Sequence, residues 1–213
     1  FTKVIREITV AAKMGGTDAS SNSRLRLALS KANASNVPKD TVKRAIDKAS
    51  GQNNENFEEI TYEGYGPKGI AVIIECLTDN KNRTVSDLRH LLSKNGGSLG
   101  TNGSVSHLFR KVGIMKLDNI TEDDLVEHME SIDIEDFEMI DSGCIIFTKP
   151  TELFSTKKYF ESKSINVIEE EIIMDPLTSI DVSKEDSEKI SDLSNKIEEL
   201  DDVQNVYMNS NLT

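Results

Sequence analysis

Ten cationic side chains fall within the first fifty residues, Lys3, Arg6, Lys13, Arg24, Arg26, Lys31, Lys39, Lys43, Arg44 and Lys48, against four acids, Glu7, Asp18, Asp40 and Asp47. A segment at net +6 is suited to a polyanion, because each phosphate it neutralises releases counterions. A second cationic group lies in Thr78-Asp79-Asn80-Lys81-Asn82-Arg83-Thr84, with Arg89 and Lys94 beyond it. Lys81 and Arg83 stand there at a helix entrance, beside backbone N–H groups that also suit phosphate. Asn80 and Asn82 have a plainer explanation, since Asn side chains stabilise turns. The residues expected to meet a nucleic-acid backbone are therefore Lys3, Arg6, Lys13, Arg24, Arg26, Lys31, Lys39, Lys43 and Arg44, with Lys81, Arg83 and Arg89 secondary. Stacking platforms for bases come only from Tyr62 and Tyr65, which serve equally well as sheet residues.

Other chemistry finds no support. Cys76 and Cys144 sit inside apolar strand-like runs and read as inert core thiols of a reducing compartment. His90, His107 and His128 lack the paired spacing of a zinc site. The glycines of GGSLGTNGS, at 96, 97, 100 and 103, match neither a P-loop nor a dinucleotide fingerprint and read as a helix stop followed by a tight hairpin. There is no nucleophile elbow and no cysteine beside a base in sequence. Carboxylate pairs, in a chain with 37 acids, read as solvated faces. The expectation is a protein that is not an enzyme, with no cofactor, no metal and no small-molecule substrate.

The elements that must position these cations change character along the chain. Its 213 residues carry a net charge of -12, with 37% apolar and 29% charged residues, which is the composition of a soluble globular protein of one to three domains. No apolar run reaches the length of a membrane helix, and the amino end does not read as a signal peptide. The chain opens at Phe1 without an initiator Met, so native sequence is expected upstream. Because the first fifty residues carry +6, residues 51–213 carry -18, and this asymmetry points to modules with different partners.

Phe1, Ile5, Ile8 and Ala12 recur at helical spacing and stop at Gly15-Gly16. Leu25, Ala28, Leu29 and Ala32 mark a second helix, and Pro38 opens a third through Val42, Ala45, Ile46 and Ala49. A polar linker, GQNNEN at 51–56, follows. Strands are expected over 57–65 and 70–77, a helix from a box-like start at Thr84, and a turn-rich segment with a strand over 97–109. Then come a strand at 113–117, a helix at 121–131, a hairpin at 137–140 and 144–147, a helix at 151–163 and a strand at 165–174. A long amphipathic helix at 183–200 and a strand at 203–208 close the pattern.

Residues 112–177 hold 17 acids against five lysines and nearly complete a split β-α-β unit. The segment before them lacks a helix and a strand, which residues 178–213 can supply. The expected fold is thus α+β and multidomain: a basic helical domain over 1–54, a discontinuous α/β domain over 55–111 and 178–213, and an acidic α/β domain over 112–177 inserted into it. Both α/β domains are expected to be ferredoxin-like.

The stretches FTKVIREITVAAKMGG, NSRLRLALSKANASNVPKDTVKRAIDKASG, YEGYGPKGIAVIIECLTDNKNRTVSDLRHLLSKNGGSLGTNGSVSHLF and DDVQNVYMN closely resemble the YebC/PmpR family. That family includes bacterial proteins named as transcriptional regulators and a mitochondrial translational activator of a cytochrome oxidase subunit. The resemblance covers nearly the whole chain and is most specific in its centre. It implies three domains, a helical one and two α/β ones, and a further basic segment before the position of Phe1. It carries no site onto residues 112–177.

Together these readings imply a nucleic-acid-binding regulator of gene expression, in first place a DNA-binding transcriptional regulator of the bacterial cytoplasm. The alternative is a translation factor docked on ribosomal RNA, in the mitochondrial matrix if the source is a eukaryote. No helix with Asn, Gln or Arg aimed at base edges stands out, which weighs against sequence-specific reading of duplex DNA. A protein–protein adaptor acting through the acidic domain is a third, weaker reading.

Overall fold

The computed structural model describes residues 1–51 and 56–211. The expected linker lies, over 52–55, outside the described residues. The chain forms two compact units, one of Phe1–Phe109 with Pro176–Thr213 and one of Arg110–Asp175.

The first unit opens with helices α1 (Thr2–Gly15), α2 (Ser23–Ala34) and α3 (Lys39–Ser50). Their core is small and alanine-rich: Ile8, Ala11 and Ala12 meet Leu25, Ala28, Ala32, Val37 and Ala45, with Ile5, Leu29, Val42 and Ile46 at its margin. Alanine at the crossing points lets the helices approach closely, while Ile8 and Leu25, both fully buried, each contribute about 1.5–3 kcal/mol of transfer free energy. Asn22 joins α1 to α2. Its buried amide donates to the carbonyls of Ala11 and Gly16 at 2.8 Å, and its oxygen accepts the Leu25 N–H at 3.0 Å. This explains Gly15, where a Cβ would lie 2.7 Å from the Asn22 amide nitrogen.

The same unit continues as a four-stranded antiparallel sheet in the order β3-β1-β2-β9, built from β1 (Glu58–Tyr65), β2 (Ala71–Thr78), β3 (Ser98–Leu99) and β9 (Val203–Met208). Helices α4 (Lys81–Lys94) and α7 (Lys184–Glu198) lie on one face, where Leu88, Leu92, Leu193 and Ile197 pack on Val72, Ile74 and Cys76. Helix α4 begins three residues before the expected Thr84, because the Asn80 side chain caps it by accepting the Arg83 N–H at 3.0 Å. A two-stranded parallel pair, β8 (Ile180–Asp181) with β10 (Ser210–Asn211), was not expected from the sequence.

The second unit runs β4 (Phe109–Asp118), α5 (Glu122–Met129), β5 (Asp136–Ile140), β6 (Gly143–Thr148), α6 (Leu153–Ser162) and β7 (Val167–Pro176), the end residues Phe109 and Pro176 belonging to the first unit. Its strand order, β5-β6-β4-β7, is that of a ferredoxin-like split β-α-β fold. Thr121 and Asp124 form a reciprocal capping box at the start of α5. The fold class is as expected, three amino-terminal helices followed by two sheets with helices. The first unit's sheet reaches the two-layer arrangement by a different connection, since its central strands β1 and β2 are a direct hairpin.

Candidate nucleic-acid interface

The cations singled out from the sequence divide into two groups. Arg6, on α1, points into the first unit. One guanidinium nitrogen donates to the carbonyls of Leu77 and Asp201, each at 2.9 Å, and lies 3.3 Å from Asp202 Oδ1, while the group sits 4.4 Å above the Phe57 ring. Lys3, one turn earlier, donates to the Glu198 carbonyl, and partial burial pushes its ammonium pKa down. These contacts fasten α1 to the ends of β2, α7 and β9.

Arg83 converges on the same acid. Its Nε and Nη2 reach Asp202 at 3.2 and 2.9 Å, and Nη2 also reaches Asp79 at 2.8 Å. The Thr84 hydroxyl donates to Asp202 Oδ2 at 2.8 Å and lies 2.8 Å from the Thr78 hydroxyl. Asp202 itself is 5% exposed. Burial alone would raise its pKa, but the hydrogen bonds from Thr84 and Arg83 and the Arg83 charge hold it below the usual carboxylate range. Most of the segment read as a phosphate loop is thus a helix start locked onto an internal carboxylate. Lys81 beside it pairs with Glu58.

Arg24 is similarly engaged. Its Nε and Nη2 grip Glu7 at 2.7 and 3.1 Å, and Nη2 meets Glu59 of β1 at 2.5 Å. Burial would lower its pKa, and the two carboxylates more than offset that and raise it. Arg26 closes the α1–α2 turn by donating to the carbonyls of Ala19 and Ser20 at 2.8 and 2.9 Å. Lys13 is exposed and reaches Asn56 Oδ1 at 3.4 Å.

The second group faces solvent. Lys39, Lys43 and Arg44 are exposed on α3, and Lys31 is exposed in the last turn of α2. Arg44 donates within its own helix, to the Asp40 carbonyl and the Thr41 hydroxyl, which leaves its charge unneutralised. Among the described residues, no ion pair joins Lys39, Lys43 or Arg44 to a carboxylate. Arg89, exposed on α4, stands apart from them.

The two tyrosines take structural places. Tyr62 packs with the sheet–helix core, where burial pushes its phenol pKa up. Tyr65 ends β1, paired with Ala71 of β2 and Ser98 of β3, with its hydroxyl 3.3 Å from the Ser104 carbonyl. The glycine-rich segment does stop α4, at Gly96 with φ +78, but beyond β3 it wraps around a carboxylate instead of forming a tight hairpin. Glu63, 6% exposed on β1, accepts the backbone N–H groups of Gly103, Val105 and Ser106 at 2.6, 3.0 and 2.6 Å. Burial would raise its pKa, and these three donors hold it low instead. Neither Glu63 nor Asp202 was singled out from the sequence. The available signal was an acid placed inside or beside an apolar strand, as in TYEGY and DDVQNV.

Comparison with known proteins agrees with the resemblance read from the sequence motifs. Residues 1–52 match the model of the TACO1/YebC protein N-terminal domain, and residues 57–210 match the TACO1/YebC second and third domain. A Francisella philomiragia protein named "Probable transcriptional regulatory protein" is 46% identical over 216 residues, covering 100% of this chain and 87% of that one. Proteins of the same name from Idiomarina loihiensis and Pseudomonas fluorescens are 44% and 45% identical, again over 100% of this chain and 87% of theirs. A crystal structure of a conserved hypothetical protein from Aquifex aeolicus superimposes with a TM-score of 0.89 at 38% identity, covering 100% of this chain and 89% of that chain. With both family models matched in order and the relatives aligned over its whole length, the chain belongs to the TACO1/YebC family.

Proposed function

We propose that this chain is a non-enzymatic regulator of gene expression that binds nucleic acid, acting in the cytoplasm as a DNA-binding transcriptional regulator in keeping with the names its relatives carry. The observation that carries the reading is the solvent face of α3, where Lys39, Lys43 and Arg44 are exposed without a carboxylate partner among the described residues. Arg6, Arg24 and Arg83 act differently from the sequence expectation, as fasteners that hold the helices against the sheet. The contact surface is therefore smaller than the twelve-residue set.

A second reading, docking on ribosomal RNA, is favoured by one feature of the same face. α3 exposes Asp40 and Asp47 among its cations and has no Asn or Gln to pair with base edges. Such a helix suits a phosphate backbone at its surface better than insertion into a major groove.

The test is equilibrium binding of a labelled duplex DNA and of ribosomes across a salt series. Changing Lys39, Lys43 and Arg44 together to Ala should weaken binding and flatten the plot of log K against log salt by about 2–3. Arg24→Ala should leave that slope unchanged. Retention on ribosomes against excess duplex DNA selects the translation reading, and release to DNA selects the transcriptional one. A triple variant that binds like the parent refutes this surface.

A further inference from the structure

Between α2 and α3 runs a groove of about 160 Å³, lined by Leu29, Ala32, Asn33, Val37, Lys39 and Val42. We infer that this groove receives one unstacked nucleobase of an unpaired strand, while Lys39 and Lys43 hold the adjoining phosphates. The inference rests on the nucleic-acid reading above and adds to it a ligand class, single-stranded and not duplex.

Three observations support it. The size suits one planar ring system: the groove holds the volume of about five water molecules and lies well below the roughly 300 Å³ at which pockets for larger ligands begin. The lining is aliphatic, from Leu29, Ala32, Val37 and Val42, with Asn33 able to offer both an amide donor and an acceptor to a base edge. The charge is complementary. At about 100° per residue, Lys39, Val42 and Lys43 share one side of α3, with Asp40 and Asp47 at its flank beyond Lys43, and among the described residues neither acid forms an ion pair with either lysine. Helix α2, the other wall, has no acid and carries Lys31 exposed in its last turn, while its Arg24 and Arg26 are engaged within the fold. An apolar slot flanked by cations is what an unstacked base with its phosphates requires, whereas an apolar peptide side chain has no use for the lysines.

The test uses the full chain and a 12-nucleotide strand with a central 2-aminopurine, as RNA and as DNA, each also hybridised to its complement. Binding to the parent protein should raise 2-aminopurine emission, as the base leaves its stacked neighbours, in the single strands and not in the duplexes. Asn33→Leu fills the groove from an exposed helical position without altering charge. It should abolish that rise and weaken single-strand binding about fivefold or more, leaving duplex affinity unchanged. A response with one sugar and not the other still supports the inference and sets the strand type. Unchanged emission, or equal loss for single strand and duplex, overturns the groove while the phosphate surface stands. No binding of any probe by the parent overturns both.

Discussion

Asp202→Asn is the most informative single change, because it separates cations that hold the fold from cations left for a partner. The carboxylate is 5% exposed and receives hydrogen bonds from Arg6, Arg83 and Thr84. An amide of the same shape keeps one acceptor but removes the charge and turns an NH2 group toward a guanidinium. Removing one partner of a well-buried pair costs about 3–5 kcal/mol. The loss here belongs at the low end or just below it, about 2–3 kcal/mol. Arg6 keeps its bonds to the Leu77 and Asp201 carbonyls, and Arg83, with 47% of its side chain exposed, retains Asp79 and water.

For a chain of this length each kcal/mol moves the melting temperature by about 2–4 °C, so thermal melting followed by circular dichroism near pH 7 should show a drop of about 4–12 °C. The pH dependence gives an independent check. The folded-state pKa of Asp202 is depressed, so its contribution is fully present above the unfolded carboxylate pKa of about 3.9 and is lost as the pH falls through the folded value. The gap between parent and variant should therefore be full near neutrality and narrow below about pH 4. A variant melting within 1 °C of the parent at neutral pH, or a gap that widens in acid, would refute the fastening role. Nucleic-acid binding measured well below the melting range should keep the parent's salt slope, since Arg6 and Asp202 are engaged within the fold and lie outside the proposed α3 surface.

Two further changes probe the glycine-rich segment. Glu63→Gln leaves one acceptor for three backbone donors and should destabilise by about 1–3 kcal/mol, with faster hydrogen exchange at Gly103, Val105 and Ser106 as its specific mark; exchange at those amides equal to the parent's would show that the carboxylate does not hold the loop. Gly97→Ala places a Cβ 2.1 Å from the Tyr65 carbonyl oxygen and should break the β1–β3 pairing, whereas Gly51→Ala, whose Cβ would meet nothing closer than 3.7 Å, should melt like the parent; equal stability of the two variants would contradict the packing at the sheet edge.

Features that depend on neighbouring residues were legible in the sequence. The Ile5/Ile8/Ala12 stripe, Gly15-Gly16 as a stop, the strand IAVIIECL and the start at Thr121 all rest on interactions within a turn or two. The start of α4 was placed late for a local reason as well, because two capping patterns compete in TDNKNRT. Asn80 wins the cap, and the Thr84 hydroxyl is drawn to Thr78 and Asp202. The cation assignments failed to separate for a different reason. Arg6 and Asp202 are 196 positions apart, and Arg83 and Asp202 are 119 apart. No window of sequence holds both members of such a pair, so a segment's net charge counts an arginine that is already neutralised as though it were available.

That distinction changes what the +6 of the first fifty residues means. Arg24 is held by Glu59, an acid outside the segment, and Arg6 is drawn to Asp202, so acids from the sheet discharge part of the helical domain from within. What these contacts achieve is placement. With α1 fastened at Lys3 and Arg6, and α2 at Arg24, the three-helix core settles in one orientation on the sheet, and α3 becomes the helix whose cations turn outward. An exposed lysine on a loosely attached helix would add affinity at the cost of ordering it. On a helix whose neighbours are already fixed by charged hydrogen bonds, most of that ordering has occurred before a partner arrives. If α3 is the contact surface proposed above, the arginines that the sequence assigns to phosphate serve binding at one remove, by fixing the surface that the lysines present.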